Sequence, residues 1–338
     1  MKFSTSLLFA SVLSAGLLVG CDGGSGTSQP AQKTAAEAPK AAPVVIYTNA
    51  DEEAQQAMKN ALDKNGLQGA YLMQSFGTSE LGGKLVAEGK NIEADVVTIS
   101  TYYLESMQKS QKLFCDLGIK LDTVGPAVSY YAPILGICGA LFVNTEVLKA
   151  DNLPKPTAIA DLAKPEYAGH ISVPDIMGSS TSWLMTQAMI SAKGEQEGSA
   201  IIRAIEKNAG AHLEKSGSGP LKKIRAGEAA VGFGLRHQAV ADKAKGLPID
   251  YVDPVEGNFT LLEAAAVVDK GDKTNPNAEK VVETIVKFGR QELLKFYPVV
   301  LYKGETVSAE NKPANPKTFS EPLTVELLQK HQKLVKGE

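Results

Sequence analysis

The sequence lacks the features that mark several large classes of function. Its 338 residues include 35 basic and 38 acidic side chains, so it has no basic excess of the kind nucleic-acid-binding proteins show. No apolar run reaches the roughly 20 residues that a transmembrane helix needs. A Gly-x-Ser-x-Gly elbow and a His-Glu-x-x-His zinc helix are also absent. We therefore expect a protein that is not an enzyme, carries no metal or cofactor and binds no nucleic acid.

The N-terminus has the layout of an export signal. Lys2 precedes a short apolar run over residues 6–20, and small residues follow up to Cys21. Residues 18–21, Leu-Val-Gly-Cys, resemble the lipobox of bacterial lipoproteins. This resemblance implies cleavage after residue 20 and a lipid attached to Cys21, with a plain secretory signal as the alternative. We expect an exported protein that is lipid-anchored to the bacterial cell membrane, with its body in the periplasm or outside the cell.

The segment after Cys21 has little to bury. Residues 22–43 contain no aromatic side chain and no aliphatic side chain larger than alanine. Such a composition cannot offset the entropy lost on ordering. We expect residues 21–43 to form a flexible tether that spans roughly 25 Å on average.

Cysteine is scarce, and beyond Cys21 only Cys115 and Cys138 remain. An oxidising compartment permits a disulfide between them. The sequence does not show whether their Cα atoms come within bonding range, so the possible disulfide is left open.

The body from Val44 onward, nearly 300 residues, is long enough for two domains. Predicted strands at residues 44–48, 70–74 and 95–99 alternate with segments of helical spacing at 51–65 and 79–88. This order predicts a βαβαβ unit with a parallel sheet.

A second α/β set follows between two apolar runs, residues 139–143 and 264–268. It contains predicted strands at 171–174 and 229–234 and predicted helices at 181–192 and 200–209. We therefore expect an α/β fold with two Rossmann-like lobes joined by two hinge crossings. Lobe 1 would comprise residues 44–138 plus 268–338, and lobe 2 residues 139–267.

This order resembles the type 2 periplasmic substrate-binding proteins of ABC importers, most closely the branch that binds ferric ion, phosphonates such as 2-aminoethylphosphonate, and sugar phosphates. The residues that carry the resemblance are 45–49, 94–97, 139–144, 173–175 and 227–234. It implies a monomeric solute receptor whose partners are a small anionic solute and an ABC permease in the inner membrane.

Ligands of open α/β sheets bind outside the carboxyl ends of strands, and helix N-termini there favour anions. Residues 216–220 form one such loop, equally explained as a glycine turn. The predicted ligand-binding residues lie at these ends or beside the second crossing: Asn49, Asp51, Thr78, Ser79, Thr101, Ser179, Ser180, Thr181, Arg236, His237 and Glu263. Alternatives stay open for several, since Ser79 could simply cap a helix and Glu263 could form a hinge salt bridge.

Arg236 and His237 separate the ligand classes. Their position resembles that of the paired tyrosines that hold iron in the ferric branch. A cationic arginine is a poor neighbour for Fe³⁺. Its planar guanidinium group instead suits the oxygens of a phosphate or phosphonate. Arg236 could instead pair with a surface carboxylate. We expect capture of an organophosphorus anion, a phosphonate or a sugar phosphate, by hinge closure. A ferric-ion-binding protein and an exported non-catalytic surface antigen are the alternatives.

Overall fold

The computed structural model of the protein describes residues 42–338. The predicted signal peptide, Cys21 and nearly all of the predicted tether lie outside the described residues. The described residues form ten strands: β1 (Val44–Thr48), β2 (Tyr71–Ser75), β3 (Val96–Ser100), β4 (Ala132–Asn144), β5 (Ile171–Pro174), β6 (Leu213–Glu214), β7 (Val231–Leu235), β8 (Ile249–Val252), β9 (Asn258–Val267) and β10 (Pro316–Lys317).

Ten α-helices connect or flank these strands in the same described region. They are α1 (Glu52–Leu62), α2 (Thr78–Glu88), α3 (Thr101–Gln111), α4 (Thr145–Ala150), α5 (Ser180–Ala209), α6 (Gly219–Arg225), α7 (Arg236–Ala244), α8 (Ala278–Thr284), α9 (Arg290–Phe296) and α10 (Val325–Lys336).

Strands β1, β2 and β3 form the predicted parallel unit. β1 pairs in parallel with β2 on one side and with β3 on the other. Helix α1 connects β1 to β2 and buries Ala54, Met58 and Leu62, which recur at the helical spacing. The prediction of a βαβαβ unit in this part of the chain is confirmed.

Strands β4 and β9 connect this unit to a second one. β4 pairs antiparallel with β9 as far as Cys138 and then pairs with β7 from Gly139 onward. β9 in turn pairs with β3 over its carboxyl half, with Glu263 opposite Ser100. The apolar runs predicted as crossings are therefore the halves of two longer strands.

The second group contains β5, β6, β7 and β8, and the whole sheet runs in the order β2-β1-β3-β9-β4-β7-β5-β6, with β8 on β4 and β10 on β9. The prediction of two α/β lobes joined by two crossings is confirmed. We keep the name lobe 1 for the group around β1–β3 and lobe 2 for the group around β5–β8. The boundaries at residues 139 and 267 stay predictions.

Helix α5 consists of two helical segments, as predicted. The 30 residues are divided at Gly194, where the backbone leaves the helical conformation with a φ of 79°, and the second segment begins before its predicted start at residue 200. Helix α10, assigned to lobe 1 by the predicted boundaries, packs along α5. The Trp183 indole N–H donates to His331 Nδ1 at 2.9 Å, and Gln332 donates to the Ile176 carbonyl at 3.1 Å.

The possible disulfide is not formed, because Cys115 and Cys138 are both free. Cys138 lies opposite Thr260 near the start of β9, whereas the Cys115 amide donates to the carbonyl of Val267 at the other end of that strand. Seven residues of strand separate the two points by roughly 23 Å, well beyond the Cα separation that a disulfide spans.

Among the described residues, no helix combines the length and the apolar character required to cross a membrane.

Candidate functional site

A cavity of about 810 Å³ lies between the two lobes. Lobe 1 contributes the carboxyl ends of β1 and β2 with the starts of α1 and α2. Lobe 2 contributes the start of α5 and the loop before α6, and Glu263 of β9 lies at the crossing. We call this cavity the cleft. Its place at strand ends is where the topology of an open α/β sheet puts a ligand.

Asn49 ties the lobe 1 wall to the crossing. It follows β1 directly, and its Nδ2 donates to Thr78 Oγ1 at 3.0 Å and to Glu263 Oε1 at 2.9 Å. Its Oδ1 is buried and has no hydrogen-bond partner among the described residues. A buried acceptor without a partner costs free energy, so this oxygen is available to a donor that enters the cleft.

Asp51 joins the two lobes. One carboxylate oxygen accepts from the Ser218 hydroxyl of lobe 2 at 2.9 Å, and the other accepts from the Tyr297 hydroxyl at 3.3 Å. Burial raises the pKa of Asp51 above its usual value, and the two hydrogen bonds oppose that rise. The Ser79 amide also donates to the Gly178 carbonyl at 3.4 Å, so the lobes touch across the cleft.

Glu263 is buried, with 5% of its surface exposed. Burial raises its pKa to about 7, and the negative charge of Asp51 acts in the same direction. Hydrogen bonds from Asn49 and Ser100 partly oppose this shift. Near neutral pH the carboxyl group can therefore accept from or donate to a ligand.

The start of α5 forms the lobe 2 wall. Ser179 caps this helix, and its Oγ accepts from the Thr181 amide at 3.2 Å. Ser180 and Thr181 are buried. Gly217 approaches so closely that an added Cβ would lie 2.0 Å from Thr181 Oγ1. The helix start and the loop at 216–218 therefore form one packed surface.

Two helix N-termini from opposite lobes thus open on the same cavity. Thr78 begins α2 and Ser180 begins α5, and both line the cleft. Free backbone N–H groups and the positive end of the helix dipole make such a pair favourable for an anion. Lys215 and Lys222 add positive charge, whereas Glu52, Glu80 and Glu214 add negative charge to that of the carboxyl groups described above.

The structure brings seven of the predicted site residues together in the cleft. They are Asn49, Asp51, Thr78, Ser179, Ser180, Thr181 and Glu263. Ser79, Thr101, Arg236 and His237 are not among the residues that line it. The Ser79 amide makes the contact across the lobes described above, and Thr101 is the first residue of α3.

The expectation that Arg236 faces the cleft is wrong. Its Nε and Nη2 donate to the two carboxylate oxygens of Asp253 at 2.7 and 3.0 Å, and its Nη1 donates to the Glu310 carbonyl at 2.7 Å. Leu235, the last residue of β7, lines the cleft instead. Arg236, the first residue of α7, directs its side chain toward Asp253 and not into the cleft. Pairing with a carboxylate, the alternative for Arg236, is what the structure shows.

His237 lies on the far side of Tyr297 from the cleft. The two rings are in contact in a tilted arrangement, with centroids 4.6 Å apart and an interplanar angle of 54°. Burial lowers the pKa of His237 to about 3, so the imidazole is neutral at physiological pH.

Neither Tyr297 nor Ser218 is among the predicted ligand-binding residues, although both line the cleft. The hydroxyl-rich loop at residues 216–218 carried a signal that also suited a simple turn. Tyr297 carries no local signal, because its partner Asp51 is 246 positions away. The described residues contain no group of three or more His, Cys, Asp or Glu side chains placed to hold a metal ion.

Sequence comparisons relate the chain to solute-binding proteins. The sequence profile of the bacterial extracellular solute-binding proteins matches residues 99–318. The Fe(3+)-binding periplasmic protein of Serratia marcescens is 26% identical over 271 residues, which cover 75% of this chain and 76% of that protein. An uncharacterized protein of Haemophilus influenzae is 28% identical over 166 residues, 49% of this chain and 46% of the relative, so the match spans about half of its length.

Solved structures show the same fold. The periplasmic binding protein AfuA of Actinobacillus pleuropneumoniae, with fructose 6-phosphate bound, superposes with a TM-score of 0.70 at 20% identity over 88% of this chain and 97% of that one. Iron-bound HitA of Pseudomonas aeruginosa gives a TM-score of 0.66 at 19% identity over 88% and 99% of the chains. These neighbours have the type 2 periplasmic-binding-protein fold. At sequence identities of about 20%, the similarity supports a shared fold alone.

Proposed function

The chain belongs to the bacterial extracellular solute-binding proteins, and we propose that it is the receptor of an ABC importer for a small anionic organophosphorus solute. The observation that carries this proposal is the meeting of the N-termini of α2 and α5 in one cleft. Phosphate and phosphonate groups bind well at such termini. A family of solute-binding proteins also suits the expectation that the chain is not an enzyme.

The two ends of the cleft suit the two ends of such a solute. The anionic group would lie between Thr78 and Thr181, where backbone amides and hydroxyls can donate. Because Arg236 is engaged with Asp253, no guanidinium fork takes part. The hydroxyl or amino groups of the solute would face Glu263 and the unpaired Oδ1 of Asn49. Both phosphonates and sugar phosphates carry this combination of groups.

Hinge closure would couple binding to delivery. A solute that contacts both lobes favours the closed form, because only a difference in affinity between two forms shifts their populations. The hydrogen bond from the Ser218 hydroxyl to the Asp51 carboxylate would add a direct link between the lobes in the closed form. The closed receptor would then dock on its permease in the inner membrane.

We also propose that Cys21 carries a lipid anchor. A tether of about 20 residues would hold the body near the membrane and raise its effective concentration at the permease. The extracellular family of the chain fits an exported protein whose body works in the periplasm or outside the cell.

Calorimetric titration of the body with 2-aminoethylphosphonate, hexose phosphates and inorganic phosphate tests the ligand class. We expect saturable binding and a rise in melting temperature with at least one organophosphorus compound. Trp183, the sole tryptophan of the chain, lies against Tyr102 of lobe 1 with ring centroids 4.9 Å apart, so its emission should change on closure. The absence of heat and of any melting shift with every phosphorylated compound would contradict the proposal.

Ferric binding is the second candidate. The Serratia relative is named for it, and the carboxyl groups of Asp51 and Glu263 and the phenol of Tyr297 all line the cleft. Oxygen donors of this type suit a hard cation. A visible charge-transfer band on addition of Fe³⁺, lost in Tyr297→Phe, would favour iron over an organophosphorus solute.

A further inference from the structure

A second cavity, of about 640 Å³, lies beyond Tyr297. Lobe 1 lines it with Phe296, Tyr297 and Pro298 at the end of α9. Lobe 2 lines it with one face of α7, on which Ala241 lies one turn after His237. Tyr297 lines both this cavity and the cleft, so its ring separates the two spaces. The volume is that of a typical site for a small organic molecule.

The walls of this second cavity are largely aromatic and aliphatic. The rings of Phe296, Tyr297 and Tyr251 face it, together with Val240 and Ala241. Phe296 is 39% exposed, so part of its ring is accessible to a ligand. A flat aromatic molecule would cover this surface and gain the favourable ring contacts that such walls offer.

The imidazole of His237 is a polar group of the second cavity without a partner among the described residues. His237 makes no hydrogen bond with any other residue that the structure describes, although its imidazole lines the cavity. A neutral imidazole has one donor and one acceptor nitrogen. A hydroxyl group, which both donates and accepts, is the simplest partner for it.

Charge at the rim does not favour an anion. Lys243 and Lys295 already pair with Asp250 and Glu292 at 2.7 Å, and Arg225 pairs with Asp242. Lys245, Glu53 and Glu310 have no ion pair in the described part of the chain, which leaves one net negative charge. An anionic ligand would therefore lose hydration without gaining a counter-charge.

We propose that the second cavity binds a small neutral aromatic alcohol whose hydroxyl group pairs with His237. Because α7 belongs to lobe 2 and the Phe296–Pro298 wall to lobe 1, the bound alcohol contacts both lobes and stabilises the closed form. This site is separate from the solute cleft, and its occupancy does not depend on the identity of the transported solute.

Fluorescence titration of the body with 2-naphthol tests this proposal. Wild-type protein should bind one equivalent saturably. Ala241→Phe, which fills the second cavity from an exposed position on α7, should weaken binding by about tenfold or more. The matched variant Ala200→Phe, at an exposed position on α5 away from the cavity, should bind as the wild type does. Circular dichroism and melting temperature show that both variants are folded.

Three further measurements test the role of His237, the preference for a neutral ligand and the independence from the cleft. His237→Phe should weaken 2-naphthol more than naphthalene, because only the former has a hydroxyl group to lose. Naphthalene-2-sulfonate should bind more weakly than 2-naphthol. Thr181→Val, in the cleft, should leave 2-naphthol binding unchanged. Tighter binding of the sulfonate, or equal binding by wild type and Ala241→Phe, would overturn the proposal whatever the fate of the organophosphorus solute.

Discussion

Strands β5 and β7 of lobe 2 are both followed by a helix, yet only the helix after β5 begins in the cleft. Five residues separate the end of β5 from the start of α5, and Ser179 at their end is extended and caps the helix. β7 passes into α7 without any connecting residue. The first arrangement leaves backbone amides facing the cleft, whereas the second turns Arg236 toward Asp253.

The difference shows that a strand end is a site only when the connection after it presents donors to the cavity. A cationic side chain at the right position in sequence is not sufficient, because the helix that begins there can direct it to a carboxylate outside the cleft. After β5 the donors belong to the backbone and to Thr181. After β7 the charged group is buried in an ion pair and contributes to stability.

Replacement of Arg236 tests this difference between the ends of β5 and β7, and we expect it to have the largest effect, a loss of stability. Arg236→Met leaves the carboxylate of Asp253 without its ion-pair partner, and the Asp253 side chain is only 9% exposed. We expect a loss of about 3–5 kcal/mol in the free energy of unfolding, measured by urea denaturation. Solute affinity should hold in the fraction that folds. Lys295→Met, which breaks the exposed pair with Glu292, should cost less than about 1 kcal/mol. If Arg236→Met instead lost its affinity for the solute and kept its free energy of unfolding, Arg236 would be a ligand-binding residue.

The stability of the protein should depend on pH in opposite directions through Glu263 in the cleft and through His237 after β7. The pKa of Glu263 is raised to about 7, so its contribution to stability is complete below about pH 4.5 and lost as the pH rises through 7. The pKa of His237 is lowered to about 3, so its contribution is complete above about pH 6.5 and lost as the pH falls toward 3.

Between about pH 4.5 and 6.5 the two slopes therefore oppose each other in the wild type. Relative to it, Glu263→Gln should gain stability as the pH rises across this range, and His237→Gln should lose it. Each difference is at most about 1.4 kcal/mol per pH unit. Thermal unfolding in a series of buffers measures both, and parallel curves for the three proteins would refute the assignment.

A smaller effect is expected from the start of α5. Thr181→Val removes a hydroxyl group from the cleft wall while keeping the side-chain shape. We expect the affinity for the organophosphorus solute to fall by about tenfold, with little change in melting temperature. Thr186→Val is the control, because its hydroxyl donates to the Ser182 carbonyl within the same helix and away from the cleft. Equal losses of affinity in both variants would place the effect in the helix and not at the site.

The smallest effect concerns the support behind α5. His331→Leu removes the acceptor for the Trp183 indole N–H and should cost about 1 kcal/mol or slightly more, with a shift in tryptophan emission. His331→Gln, which can still accept, should retain most of the stability. Identical emission spectra for all three proteins would show that this hydrogen bond does not hold α10 to α5.

The sequence predicts the alternation of strands and helices well, because buried strands and amphipathic helices leave local periodic signals. It predicts less where the signal is diluted. The first half of β4 contains Pro133 and Gly136, both unfavourable in a strand interior, so only its second half was recognised. Helices α3 and α7 were missed because each begins directly at the end of a strand.

The site was predictable to the extent that it follows strand ends. Asn49, Thr78 and Thr181 were found by position alone. Arg236 was misplaced because the sequence does not show that Asp253, 17 residues later, receives its guanidinium. Tyr297 could not be found, since tertiary packing alone brings it to the cleft.

The pairing of β3 with β9 also bears on how the chain can fold as it is made. Val96 lies opposite Val267, so the central sheet of lobe 1 stays incomplete until a segment 171 residues downstream has emerged. The strands and helices of lobe 2 are, by contrast, contiguous between these points. Because domains tend to fold as units and distant pairings form slowly, lobe 2 should be ordered first and serve as the platform on which lobe 1 is completed.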